Sequence, residues 1–174
     1  MSLMTSAQRL AAVGNRAAGA LAFLAPLLTR LLLGPAFFLT GRGKLMNFEN
    51  TVGFFTQLGI PFPEANAAFV ASLELAGGIL LTLGLGTRVV ALLLSSTMMV
   101  ALLTADRQSF LEGLAGGDVT GVTPAVFLLF LVWLVLYGPG SVSLDWLIGK
   151  RLRQSESKAE PNGVFRTEAG AGTR

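Results

Sequence analysis

The chain has no cysteine and no histidine. Disulfides, thiolate metal sites, iron-sulfur clusters and imidazole-ligated haem therefore cannot be built from it alone, and no metal is expected. Any redox work must use an organic cofactor such as a quinone or flavin, or reside on a partner. Charge is scarce too: 13% of the 174 residues are Asp, Glu, Lys or Arg, against about 25% in an ordinary soluble domain. The net charge of +3 comes without a basic groove interleaved with aromatics, so no nucleic-acid partner is expected. What remains is apolar, 52% of the chain, and water is not its main solvent.

The charges are grouped, and the gaps between groups reveal the spans. Between Arg88 and Asp106, and again between Asp118 and Asp145, the sequence carries no charge. Two further apolar segments hold one charge each, Arg30 in the first and Glu74 in the second. A bilayer core about 30 Å thick needs roughly 17 to 25 apolar helical residues, and each segment supplies about that many. The segments 89–103 and 126–136 are apolar all round, which places a helix deep in protein or in lipid, and a chain this short has too little polar surface to bury four. The expected fold is all-α, an integral membrane four-helix bundle with spans at 20–41, 64–85, 88–105 and 122–138. Arg9 and Arg16 precede the first apolar stretch as in a signal peptide, but Arg30 lies inside that stretch and no small-residue cleavage site is clear, so an uncleaved span fits better.

Basic residues near the membrane set the orientation. Arg9, Arg16, Arg88, Lys150, Arg151 and Arg153 fall on one side, with Arg42, Lys44 and Arg107 on the other. Both termini are thus expected in the cytoplasm, with 1–18 as a cytoplasmic segment, 19–149 as the membrane domain and 150–174 as a disordered tail poor in apolar residues from Gln154 onward. Between spans one and two, Phe48, Val52, Phe55 and Leu58 recur at helical spacing behind Asn47, a candidate N-cap. This predicts an amphipathic helix on the outer face, stopped by Gly59, Pro61 and Pro63. Thr87 is a candidate N-cap for span three. Ser143 is another, for a short interfacial segment that carries Leu144, Trp146, Leu147 and Ile148.

Arg30 and Glu74 are the candidate intramembrane polar pocket. A charge near the bilayer centre costs about 2.5 to 3.5 kcal/mol unless compensated. From the predicted span edges both lie roughly 14 to 16 Å from the inner boundary at about 1.5 Å per residue, so they are expected to pair across antiparallel helices. Such a pair could fix helix register, or line a pocket that hydrogen-bonds a quinone carbonyl or relays protons. Arg42 and Lys44 end span one where basic residues snorkel to headgroups, although the Lys44 stem could fold back over the bundle mouth. Gly77 and Gly78 suit close helix approach. Met98 and Met99 read as packing rather than as a soft-metal site. Trp133 and Tyr137 read as interfacial belt residues.

Taken together, Arg30 and Gly34, Gly41-Arg42-Gly43-Lys44-Leu45, Leu58-Gly59-Ile60-Pro61-Phe62-Pro63, Glu74-Leu75-Ala76-Gly77-Gly78, Gly86-Thr87-Arg88, Gly138-Pro139-Gly140 and Ser143-Leu144-Asp145 resemble, in order and spacing, the DoxX family of small bacterial membrane proteins. The resemblance covers roughly 20–148. It implies a four-helix protein of the bacterial inner membrane, with relatives that include the small quinone-reducing subunit of a thiosulfate:quinone oxidoreductase and a member proposed to assemble with oxidative-stress proteins. Arg30, Gly41, Lys44, Glu74, Arg88 and Asp145 match the family's recurrent polar and glycine positions. Many relatives carry a histidine just before the Gly-x-x-Lys motif, and Thr40 stands there in this chain, so a role for that histidine does not transfer. The expected function is a quinone-interacting or accessory subunit of a redox or oxidative-stress complex with a soluble or membrane redox partner. The alternatives are a scaffold that docks soluble enzymes through 150–153, and a small-solute channel or exporter.

Overall fold

The computed structural model describes Gln8, Gly19 and residues 21–159. The expectations for Arg9, Arg16 and 160–174 fall outside the described residues. Every regular element among those described is helical. Helix α1 spans Leu24–Met46, α2 Phe48–Gln57, α3 Pro63–Leu83, α4 Thr87–Leu103, α5 Arg107–Leu114, α6 Thr123–Tyr137 and α7 Leu144–Ala159, with one 3-10 turn at Val119–Gly121 before α6.

The surface is that of a protein solvated by lipid. Leu136 is 75%, Leu129 68% and Leu32 65% exposed, whereas Arg30 and Glu74 are each 1% exposed. Large leucines outside and charges inside reverse the pattern of a water-soluble domain. Helices α1 and α3 are each long and apolar enough to cross a membrane, and α4 with α5 forms a third candidate bent by 84°. The 15 residues of α6 reach only about 22 Å at 1.5 Å per residue.

Packing is organised as two helix pairs, α1 on α3 and α4 on α6, with α2 laid against α3 and α3 against α4. The core joins both pairs: Leu33 and Phe37 of α1 and Leu81 of α3 meet Val90, Ala91 and Leu94 of α4 and Leu131 and Leu134 of α6. Phe37 and Phe127 meet edge-on, ring centroids 5.4 Å apart. Met98 packs against this core, whereas Met99 is exposed toward the lipid side. Trp133 and Tyr137 stack one turn apart with centroids at 5.0 Å.

Several boundaries differ from expectation. Helix α1 continues past Thr40 to Met46, because Gly41 is pressed against α3 and packing, not helix propensity, holds the end. Asn47 occupies the N-cap position of α2, but its side chain donates to the Gly43 carbonyl at 3.0 Å and so closes α1 instead. Helix α5 is an element outside the sequence expectation: Phe110, Leu111 and Leu114 stand at helical spacing, but the run of eight residues is too short to mark a span. Helix α7 runs on to Ala159, past Gln154, where disorder was the expectation. Ser143 caps it as expected, its Oγ accepting from the Trp146 amide at 3.1 Å.

Candidate functional site

Glycines set the register between α1 and α3. A Cβ on Gly78 would stand 2.6 Å from the Gly34 carbonyl oxygen, and one on Gly41 would stand 2.7 Å from the Ala71 oxygen and 2.9 Å from the Glu74 carbonyl carbon. Backbone lies on backbone here, as small residues permit in lipid. Gly77 differs: its missing Cβ faces the Leu94 side chain at 3.2 Å, toward α4.

This register corrects the expected Arg30 and Glu74 pair. With Gly34 on Gly78 and Gly41 on Ala71, Arg30 comes level with Gly84, ten residues beyond Glu74 and about 15 Å away along the helix. The two charges are not level because α1 runs from Leu24 to Met46, several residues beyond the expected 20–41 at its far end. Glu74 is paired with Lys44, whose Nζ donates to Oε1 at 2.5 Å and to Oε2 at 2.6 Å. The Lys44 stem folds back into the bundle, so its side chain is 31% exposed while that of Glu74 is 2% exposed. A carboxylate this deep needs a compensating charge, and Lys44 is one turn from the end of α1, within reach.

Above the pair lies a cavity of about 210 Å³. Phe54, Phe55 and Leu58 of α2 and its exit roof it, Phe69 and Val70 of α3 form one wall, and Met98, Val100 and Ala101 of α4 form the other. Its polar lining is Lys44, Glu74, Asn66, Ser96, Thr97 and Thr104. The amphipathic helix α2 thus turns Phe55, 8% exposed, over a buried ion pair. A half-open, mostly apolar space with one charged corner can hold a flat ring and fix the orientation of a polar atom on it. Sequence reasoning found Lys44 and Glu74 separately. The signal that would have joined them is the glycine spacing, Gly34 with Gly41 against Gly78.

Arg30 belongs to a different cluster at the opposite end. Its Nη2 donates to the Val142 carbonyl and its Nε to the Pro26 carbonyl at 3.3 Å, with Asp145 supplying the opposite charge nearby. Asp145 receives the Gly86 amide at 2.7 Å and the Thr87 amide at 3.0 Å, and its own amide donates to the Gly84 carbonyl at 3.0 Å. The N-terminus of α4 is therefore capped by a carboxylate from the start of α7. Gly86 takes the N-cap position with φ of 60°, so the expected Thr87 cap is replaced. Thr87 Oγ1 is buried and finds no partner among the described residues. The guanidinium of Arg88 lies against Gly138, 3.3 Å from where a Cβ would stand, at the negative end of the α6 dipole. Arg30, Arg88, Ser143 and Asp145 thus tie the α6–α7 connection to the α3–α4 turn.

Asp145→Ala is expected to lower stability by about 1 to 2 kcal/mol, the cost of a lost N-cap. Thr87→Val is expected to be neutral or stabilising, since its hydroxyl is buried without a bond. Thermal unfolding in detergent separates the two. A Thr87→Val loss as large as that of Asp145→Ala would return the cap to Thr87.

The fold and site define an all-helical membrane protein with a paired lysine and glutamate inside it. Residues 25–107 match the DoxX family, and the chain belongs to that family. It is 33% identical over 124 residues to the protein named "Putative oxidoreductase CatD" of Bacillus subtilis (strain 168), covering 71% of this chain and 87% of that one. It is 30% identical over 122 residues to "Inner membrane protein YphA" of Escherichia coli (strain K12), covering 68% and 86%. It is 33% identical over 130 residues to "Uncharacterized membrane protein Rv3486" of Mycobacterium tuberculosis (strain ATCC 25618 / H37Rv), covering 70% and 80%. No solved structure gives a significant match.

Proposed function

We propose that the chain crosses a bacterial inner membrane four times with both termini in the cytoplasm, and that the cavity over Lys44 and Glu74 binds the ring of a quinone on behalf of a redox complex. The observation that carries the reading is a buried ion pair opening into a ring-sized apolar space. An apolar cavity on the order of 150 Å³ already holds benzene, so about 210 Å³ accommodates a substituted ring while leaving an attached apolar tail outside in lipid. Lys44 has three N–H donors and places two on Glu74, leaving one for a ligand oxygen. Glu74 holds that ammonium pointed inward. A bound quinone would supply two-electron, two-proton chemistry. The oxidoreductase in the name of the Bacillus subtilis relative is consistent with that class.

A short-chain benzoquinone titrated into the protein in lipid nanodiscs is expected to raise the unfolding temperature and to bind with heat release. Lys44→Met is expected to weaken binding about 10- to 100-fold, the value of one hydrogen bond to a charged donor. Wild-type protein that neither shifts nor releases heat would sink the reading.

A second reading rests on α7, where Lys150 sits 5.1 Å over the Trp146 ring and Leu147 and Ile148 are exposed. This basic, apolar helix could dock a soluble partner enzyme. Truncation after Gly149 that leaves co-purifying proteins unchanged would remove it.

A further inference from the structure

We infer that α7 is a lipid-binding helix, which lies along the leaflet beside its own end of the bundle and is held there by anionic phospholipid headgroups. This holds whatever the cavity over Lys44 and Glu74 binds.

Helix α7 is anchored where α3 ends and α4 begins. The Asp145 amide donates to the Gly84 carbonyl, and the Asp145 carboxylate accepts from the Gly86 and Thr87 amides. Gly84 is the C-cap of α3 and Gly86 the N-cap of α4, so the first turn of α7 stands at the level where these two helices leave the membrane. Val89 and Leu92, just inside α4, are already exposed toward lipid. From this anchor α7 runs for 16 residues, about 24 Å at 1.5 Å per residue.

Ile148 and Leu152 follow Asp145 by three and seven residues, which puts them on the same side of the helix. That side points the way the bound carboxylate does, toward the membrane domain. Both residues are exposed, as are Leu144 and Leu147. An apolar stripe that leaves the bundle at headgroup level, turned to its membrane side, continues the lipid-facing surface of α4. A soluble enzyme would have to wedge between α7 and the bilayer to reach it.

Charge selects the lipid. Between Val119 and Ser155 the only acid is Asp145, whereas Lys150, Arg151 and Arg153 all follow within eight residues of it. The Asp145 carboxylate is already engaged by two amides, and Lys150 and Arg151 are exposed. Exposed Arg88, against Gly138, adds a cation at the same end. Lys150 lies 5.1 Å over the Trp146 ring, an aromatic and cation pair suited to the headgroup level. This positive, apolar helix complements a negative lipid surface, where each Lys or Arg contributes about fivefold in binding.

Because the chain has no cysteine, Ile148→Cys takes a single nitroxide label. The labelled full-length protein is placed in nanodiscs of phosphatidylcholine and in nanodiscs that also contain phosphatidylglycerol. Relaxation by lipid-dissolved oxygen is compared with relaxation by a neutral, water-soluble nickel chelate. In the anionic discs the label is expected to meet oxygen and be shielded from nickel. In phosphatidylcholine, or in anionic discs at high salt, the balance is expected to shift toward nickel. Lys150→Gln with Arg151→Gln is expected to lower the bound-to-free ratio of α7 in anionic discs about 25-fold, fivefold for each cation, with the unfolding temperature of the bundle unchanged. A label equally open to water in both discs overturns the inference and leaves α7 to a soluble partner. A label equally shielded in both overturns it too, because charge then plays no part. Either result leaves the ring site standing.

Discussion

Lys44→Met is expected to destabilise the protein by about 3 kcal/mol or more, and Lys44→Met combined with Glu74→Gln to recover most of that loss. Removing one partner of a buried pair typically costs about 3 to 5 kcal/mol, because the remaining charge is stranded. Here Glu74 is the stranded group, its side chain 2% exposed, in a segment where lipid adds its own penalty for charge. The value belongs at the lower end of the range because Lys44 is 31% exposed and part of its interaction is screened. The double variant replaces the ion pair by a neutral amide and a thioether of similar length. It should therefore unfold close to wild type in a mixed-micelle denaturation series. If it is as unstable as the single variant, the lost stability comes from Lys44 packing, and the pair does not hold the helices.

Gly78→Ala and Gly41→Ala are each expected to lower stability by about 2 to 3 kcal/mol, whereas Gly77→Ala should cost under about 1 kcal/mol and Gly43→Ala nothing. The four positions differ in what one methyl group meets. At Gly78 it meets the Gly34 carbonyl at 2.6 Å and at Gly41 the Ala71 carbonyl at 2.7 Å. Backbone cannot rotate aside, so the α1 and α3 axes must part. At Gly77 it meets only the flexible end of Leu94 at 3.2 Å, and at Gly43 nothing lies within 4 Å. The same measurement carries a functional consequence. Gly41 lies against the Glu74 backbone, so Gly41→Ala should displace the carboxylate from Lys44 and abolish ring binding, while Gly43→Ala binds as wild type. Equal gains in stability at all four positions would show that helix propensity, not close approach, governs this interface.

These expectations show where sequence reasoning held and where it failed. The apolar segments, the amphipathic helix behind Asn47, the cap at Ser143 and the membrane class were all legible, because hydropathy and local spacing act within a few residues. The position of Arg30 was not. Its depth was measured from the edge of an apolar run, yet α1 extends beyond Thr40 to Met46 through Gly41, a residue of poor helix propensity held by contact with α3. Glycine contacts, not hydropathy edges, set which residues of α1 and α3 come level, and they placed Arg30 beside Gly84, away from Glu74. The capping of α4 was hidden for a related reason: the carboxylate comes from Asp145, 58 residues from the Thr87 amide it receives.

Lacking histidine and cysteine, the sequence by itself left no residue for a thiolate or imidazole metal ligand, and its apolar runs and lone intramembrane charges determined a lipid-solvated helical protein. Only the tertiary structure decided which charges meet. Electrostatics requires that Glu74 have a partner but does not name it. The choice between Arg30 and Lys44 was made by interhelical register, which depends on which glycines of α1 and α3 come into contact.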